Sequence, residues 1–204
     1  MLIQAAADFH GKESRYRTFF QGLHVHNPDV AVIAGDIEPD GLFFKFLDKV
    51  DIPVLIVHGN MDSISIGKEI ERYENAIFLH EKMYTIDGTN FVGAGGSNPS
   101  LDEIYSLSGK KRISLKDARI DVFVTHVPPK GVMDRMSLGF HIGSEWVKKI
   151  VEDKEPRLVI CGHVHENPGY AAHGTTIVVN CSVGRRGKYS LININKEIEV
   201  NMVE

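Results

Sequence analysis

The sequence predicts an α/β fold, and two observations predict it. Up to Val57, short apolar runs of strand type alternate with helical stretches, the pattern of parallel strands joined by crossover helices. From Thr175 onward, strands follow one another with no helix between them. The length of 204 residues suits one domain, residues 1–204, and a single large sandwich fits that size. A chain this long buries about 70% of its unfolded surface, so it needs neither disulfides nor metals merely to fold.

Each element has a local reason. Met1–Ala7 is an apolar run ending at Asp8-Phe9-His10-Gly11. Tyr16, Phe19, Phe20 and Leu23 then recur at i, i+3, i+4 and i+7, one face of a helix that Asn27-Pro28 ends. Asp29–Ala34 is a strand of buried type followed by Gly35-Asp36. Asp40 N-caps a helix that turns Leu42, Phe43, Phe46, Leu47 and Val50 inward. Pro53–Val57 is the third strand and runs into His58-Gly59-Asn60-Met61-Asp62. This alternation implies a parallel sheet covered on both faces. Ile66, Ile70 and Tyr73 suggest a short helix, and the apolar clusters at 76–79, 83–86 and 91–94 suggest shorter strands. Gly93–Pro99 is a loop. Leu101–Gly109 reads as a modest helix, and 110–119 shows no clear pattern. Asp121–Thr125 is another buried strand, stopped after His126 by Pro128-Pro129. Gly131–Gly143 reads as a long surface loop. Ser144 N-caps a helix with Trp146, Val147, Ile150 and Val151 inward, closed by Pro156. Leu158–Cys161 is the last strand of the buried series and runs into Gly162-His163-Val164-His165. Strands at 175–179, 189–194 and 197–203 finish the chain, and Gly184–Gly187 suits a hairpin turn.

Composition narrows the function class. Hydrophobic residues make up 43% and charged residues 25%, as in an ordinary soluble globular protein. The net charge of -4, without a long run of one sign, argues against a generic nucleic-acid or membrane-surface binder. No apolar segment is long enough to span a membrane. The start of the chain lacks a basic region and reads as a strand rather than a signal peptide. Cys161 and Cys181, without a Cys-x-x-Cys pair, read as reduced thiols of a cytoplasmic protein.

One regularity ties the strands together. Five apolar strands each end, within a few residues, in metal-competent side chains: Asp8 and His10, then Asp36, Asn60, His126, and finally His163 and His165. Ligands of α/β sheets bind at the carboxyl ends of strands, so these residues can converge on one rim. Two aspartates, four histidines and an amide suit Mn²⁺, Fe or Zn²⁺ better than Ca²⁺ or a thiolate zinc site. Seven groups exceed one tetrahedral ion. They fit two ions about 3.5–4 Å apart sharing a carboxylate.

Asp8-x-His10, Gly35-Asp36, Gly59-Asn60-x-Asp62, Thr125-His126 and Gly162-His163-x-His165 resemble the five-block signature of the calcineurin-like metallophosphoesterase superfamily, in order, from residue 8 to 165. The resemblance is to small prokaryotic, phosphodiesterase-like members. It implies a four-layer sandwich of two mixed β-sheets flanked by α-helices. It implies two divalent metal ions, manganese first, with iron, zinc or nickel as the others. In that reading Asp8, His10 and His165 hold one ion, Asn60, His126 and His163 the other, and Asp36 bridges them. Asp36, Asn60 and His126 carry the chemistry, and a hydroxide between the ions attacks a small phosphoester, a diester by preference. A phosphomonoesterase or nuclease on the same site, and a non-catalytic metal-binding scaffold, are the alternatives. Family nucleases add a DNA-binding region, for which this chain has no basic stripe.

One departure stands out. Many members carry a histidine between the residues matching Asn60 and Asp62, acting as general acid or substrate ligand, whereas this chain has Met61. Asp62 is placed to orient a histidine there. His58 and His141 are candidates to supply the missing proton. The loop through Asn98 and the segment starting at His141 resemble stretches of small prokaryotic members and are expected near substrate. Arg185 and Arg186 read as a solvated turn.

Overall fold

The computed structural model describes residues 1–184 and 188–203. Its first sheet grows from three strand-helix repeats and a fourth strand: β1 (Leu2–Ala6), α1 (Glu13–His26), β2 (Val30–Ala34), α2 (Gly41–Leu47), β3 (Val54–Val57), α3 (Ile66–Ile70) and β4 (Ala76–Phe78). Strands β1 to β4 pair in parallel. The predicted helix boundaries follow their caps. Asn27 ends α1 in the left-handed conformation at φ 45°, its N–H donating to the Leu23 carbonyl. The Asp40 carboxylate accepts from the Leu42 and Phe43 amides at the start of α2.

The second sheet holds β5 (Lys82–Ile86), β6 (Thr89–Ala94), β7 (Glu103–Ser106), β8 (Lys111–Ser114), β9 (Val122–Thr125), β10 (Leu158–Cys161), β11 (Gly169–His173) and β12 (Thr176–Asn180). Helix α4 (Glu145–Lys154) lies between β9 and β10 in sequence. The chain then returns to the first sheet with β13 (Tyr189–Ile194) and β14 (Ile198–Val203), so its order is β14-β13-β1-β2-β3-β4, and that of the second is β11-β12-β10-β9-β6-β5-β7-β8. Both sheets are mixed, because antiparallel pairs such as β1–β13 and β11–β12 adjoin parallel ones.

The layers follow from side-chain alternation. In β2, Ala31 and Ile33 pack under the helices with Tyr16, Phe19 and Phe43. Val30, Val32 and Ala34 point the other way, into a core shared with Val122, Val124, Leu158 and Ile160 of the second sheet. On the outer face of that sheet, Phe123 and Val159 pack against Val147, Ile150 and Val151 of α4. The result is helix, sheet, sheet, helix. The parallel strands are thus covered on one face by helices and on the other by a second sheet, so both faces are dry and the strands read as continuous apolar runs.

Two local expectations are corrected. The stretch 101–109 is not a helix but contains β7, because Ile104 and Ser106 are buried while Glu103 is exposed, and the segment finds partners in β5 and β8. Pairing with neighbours outweighs a weak local preference. The edge strand β11 went unpredicted because Gly169–His173 carries no apolar alternation, and its antiparallel pairing with β12 holds it. The expected hairpin turn at Gly184–Gly187 lies largely outside the described residues. Among those described, no helix is long and apolar enough to cross a membrane.

Candidate metal centre

β1, β2 and β3 of one sheet and β9 and β10 of the other end on a common rim. The loops leaving them are stitched by backbone hydrogen bonds. The Asp8 N–H donates to the Gly35 carbonyl at 2.9 Å, that of His10 to the Asp36 carbonyl at 3.0 Å, and that of Gly162 to the His126 carbonyl at 2.9 Å. The backbone is bent to aim the side chains. Asp8, His10, Asp36 and His163 all adopt positive φ, at 66°, 49°, 51° and 69°. Left-handed non-glycine residues carry strain, and they cluster where the surrounding fold imposes a function.

Two glycines permit the approach of the loops. A Cβ on Gly59 would stand 1.9 Å from the Asp36 Oδ1, and one on Gly162 would stand 2.4 Å from the Ala7 Cβ and 2.8 Å from the Asp8 Oδ2. The turns after β3 and β10 therefore close onto the carboxylates of the neighbouring strands.

The seven predicted side chains meet. Asp8, His10, Asp36 and His165 each bring a ligand atom within 4.8 Å of the others. His10 Nε2 is 3.2 Å from His165 Nε2 and 3.8 Å from Asp36 Oδ2. His165 Nε2 is 3.3 Å from Asp8 Oδ1. On the other side of Asp36, His126 Nε2 lies 3.5 Å from Oδ1 and 3.0 Å from Asn60 Oδ1. The His163 ring stands edge-on to that of His126, centroids 5.0 Å apart. The His163 amide donates to Asp8 Oδ2 at 3.0 Å.

The donor set can be tested on His126. Its Nδ1 lies 2.8 Å from the Ala34 carbonyl, which can only accept, so Nδ1 carries a proton. In the neutral ring, the Nε2 lone pair then faces Asn60 Oδ1 and Asp36 Oδ1, two further acceptors. His10 repeats the arrangement, since Nδ1 is 2.9 Å from Glu38 Oε1 and Nε2 turns into the cluster. Lone pairs converging without protons fit cations, and carbonyl and carboxylate partners on the far imidazole nitrogen are the usual support of metal-bound histidine.

Electrostatics agree. Asp8 and Asp36 are buried. Burial alone would raise the Asp36 pKa, but the hydrogen bond and charge of His126, the Met61 amide and His10 outweigh it and hold the carboxyl down at about 2. Burial opposes charge on His126, yet Asp36 and Asp8 raise its pKa. The bond to Asp8 raises that of His165 against the effect of burial, whereas burial and His126 lower that of His163. The cluster attracts positive charge to its buried centre.

Other expected positions make contacts of their own. Asp62 does not orient position 61, because its oxygens accept from the amides of Gly59, Ile37 and Glu38 at 2.8–3.1 Å and so tie the β2 loop to the β3 loop. Met61 is 60% exposed. His58 is packed: it is buried against His80, ring centroids 4.5 Å apart, and burial drives its pKa down to about 4. Asn98 sits exposed in the loop after β6. His141 lies on the hairpin after β9, where its Nδ1 meets Asp134. Arg185 and Arg186 lie outside the described residues. Nothing in residue order points to Glu38 behind His10, to Asp134, or to Arg15, whose guanidinium donates to the Asp8 and Gly184 carbonyls at 2.6 Å each.

Residues 1–167 match the sequence profile of the calcineurin-like phosphoesterases. The uncharacterized protein MJ1162 of Methanocaldococcus jannaschii is 32% identical over 202 residues, covering 89% of this chain and 88% of its own. Human metallophosphoesterase domain-containing protein 1 is 38% identical over 82% of this chain, which spans 50% of the human protein. A probable cyclic nucleotide phosphodiesterase of Synechococcus is 24% identical over 74% of this chain and 64% of its own. Among solved structures, TT1561 of Thermus thermophilus covers 100% of this chain and 99% of its own with a TM-score of 0.71 at 18% identity. An archaeal phosphodiesterase covers 100% of both chains with a TM-score of 0.64 at 14% identity. These two likenesses are of fold.

Proposed function

Since the chain belongs to the calcineurin-like phosphoesterase family, we propose that it is a phosphodiesterase using two divalent metal ions. Asp8, His10 and His165 hold one, Asn60, His126 and His163 the other, and Asp36 bridges them. The observation that carries this reading is the position of Asp36. Its Oδ2 faces His10 at 3.8 Å and its Oδ1 faces His126 at 3.5 Å, so its two oxygens serve two different groups of histidines. The four imidazoles, two carboxylates and one amide, without thiolate, suit manganese, iron, zinc or nickel.

When bound, such ions make a water acidic enough to attack phosphorus at neutral pH and neutralise the phosphoryl oxygens. The chain's own residues prepare the rest. Glu38 keeps a proton on His10 Nδ1 and the Ala34 carbonyl keeps one on His126 Nδ1, so both rings present Nε2 to the centre. The Met61 amide pins Asp36 Oδ1 at 2.8 Å. The Asn60 amide, with its oxygen toward His126, leaves N–H groups for a phosphoryl oxygen. The diester preference rests on the relative named a probable cyclic nucleotide phosphodiesterase. The substrate is a small phosphoester rather than nucleic acid, in keeping with the net charge of -4, and the setting is the cytoplasm.

The test is metal analysis of purified protein with a screen of phosphomonoesters, phosphodiesters and cyclic nucleotides, repeated with Asp36→Asn. Expected are two metals per chain, diester turnover, and loss of both turnover and one metal in the variant with the fold intact. Full turnover by Asp36→Asn at full metal occupancy rules out the bridge. Turnover of monoesters alone replaces the diesterase by a phosphatase.

A further inference from the structure

The segment leaving β9 beyond His126 is built as a small hairpin. Arg135 and His141 form an antiparallel bridge, and the Met136 amide donates to the Phe140 carbonyl at 2.9 Å. At its base Asp134 is almost wholly buried, 1% exposed. One carboxylate oxygen accepts from the Gly131 and Gly143 amides at 2.9 and 3.0 Å, and the other meets His141 Nδ1 at 2.6 Å. The carboxylate thereby closes the hairpin base and fixes the imidazole, while the His141 side chain stays 47% exposed. Nδ1 must be the protonated nitrogen toward an ionised carboxylate, which leaves Nε2 for another partner.

The hairpin is anchored to the metal-bearing loops at both ends. The Asn180 side-chain nitrogen donates to the Val164 carbonyl, between His163 and His165, at 2.9 Å and meets the Met133 carbonyl at 3.5 Å. At the other end the Ser144 amide donates to the Pro128 carbonyl, two residues beyond His126, at 2.9 Å. An oriented histidine backed by a buried carboxylate is costly to build for a surface hairpin, because the carboxylate must be desolvated and repaid with several donors. The geometry has the form of a general acid.

We propose that His141 donates the proton to the departing oxygen of the substrate, and that Asp134 is the residue that positions it. The inference rests on the phosphoesterase reading and supplies the group missing at Met61. As water adds to phosphorus, the ester P–O bond breaks and its electron pair stays on the departing oxygen. That oxygen takes the Nε2 proton of the His141 imidazolium. The attacking water loses a proton to solvent, and His141 regains one from solvent. The charged group in contact with the ring is the Asp134 carboxylate; the Lys130 ammonium donates to the His141 carbonyl at 3.1 Å, and Arg135 is the backbone partner across the bridge.

The experiment is a leaving-group series: methyl aryl phosphodiesters from p-nitrophenol to phenol, plus a dialkyl ester. It uses the metal-loaded full chain, with metal content measured for each variant. His141→Gln should lower kcat/KM about 10²-fold or more on the phenyl and alkyl esters but under about tenfold on the p-nitrophenyl ester, steepening the leaving-group dependence. Asp134→Asn should steepen it less, and Asp134→Glu should recover part of the loss. An equal drop across the series assigns the dyad a purely structural role and overturns the proposal, as does no drop at all. If the unaltered, metal-loaded protein turns over none of the esters, the phosphoesterase reading falls and the proposal with it. If it turns them over with slopes that the variants leave unchanged, only the proposal falls.

Discussion

Gly59 is the tightest point of the centre. Any β-carbon there would lie 1.9 Å from the Asp36 Oδ1, and the Asp36 amide nitrogen would be 2.3 Å away, so the neighbour that must move is partly backbone. Gly59→Ala should displace the bridging carboxylate and cut metal affinity by about 10–100-fold, as loss of an outer support does, while far-UV circular dichroism stays unchanged. Unaltered affinity in a metal titration would show that the Asp36 loop yields freely. Met61 and Asp62 illustrate a related point about neighbours. Asp62 looks like a partner for position 61, but its oxygens are committed to the amides of Gly59, Ile37 and Glu38, and it serves as a clamp between two loops.

Among the elements, α2 depends on its first residue. The Asp40 carboxylate accepts from two otherwise unpaired amides, those of Leu42 and Phe43, at 2.9 Å each. Asp40→Ala should cost about 1 kcal/mol in urea unfolding, with phosphoester turnover unaffected because the hydrogen bonds of its carboxylate stay within α2. A change under about 0.3 kcal/mol would mean that packing of Phe43 and Leu47 alone holds the helix, since glycine at the cap would cost a similarly small amount. The β9 hairpin carries a pH dependence. Burial would raise the pKa of Asp134, but the Gly131 amide, His141 and the Gly143 amide outweigh it, so the folded carboxyl is more acidic than the unfolded one. Its contribution to stability is therefore present above the unfolded value, about 3.9, and is lost as pH falls through the lower folded value. The stability gap between the unaltered protein and Asp134→Asn should be wide at pH 6 and shrink toward pH 3. Unfolding curves at the two pH values check this, and a gap that widens on acidification contradicts it.

For the molecule as a whole, the proposed centre links two sheets that pack on a shared apolar core. Asp8, His10, Asp36 and Asn60 follow strands of one sheet, and His126, His163 and His165 follow strands of the other. Metal should accordingly stabilise the folded chain without being required for it. At a free concentration about 100 times the dissociation constant, binding contributes roughly 2.7 kcal/mol, a rise of about 5–10 °C in Tm for a chain of this size. Differential scanning with Mn²⁺, then with excess chelator, measures it. A Tm indifferent to both would mean that no ion binds the native state preferentially.

Much of this was readable from residue order alone. Strands β1, β2, β3, β9 and β10 are buried on both faces, so each is apolar save for Gln4 in β1 and Thr125 in β9, and each is followed by polar ligand types that such a run would otherwise exclude. Caps such as Asp40 and Ser144 act on amides two or three residues away, so their helices were equally legible. What the chain order concealed was pairing across distance. Strand β7 reads as a helix from its own residues because its partners β5 and β8 supply what its sequence lacks. Glu38 behind His10 and Asp134 behind His141 are ordinary acidic residues until folding sets them 2.9 and 2.6 Å from an imidazole. A ligand announces itself by its chemical type at a strand end. A supporting group is defined by which neighbour it touches, and three-dimensional packing alone decides that.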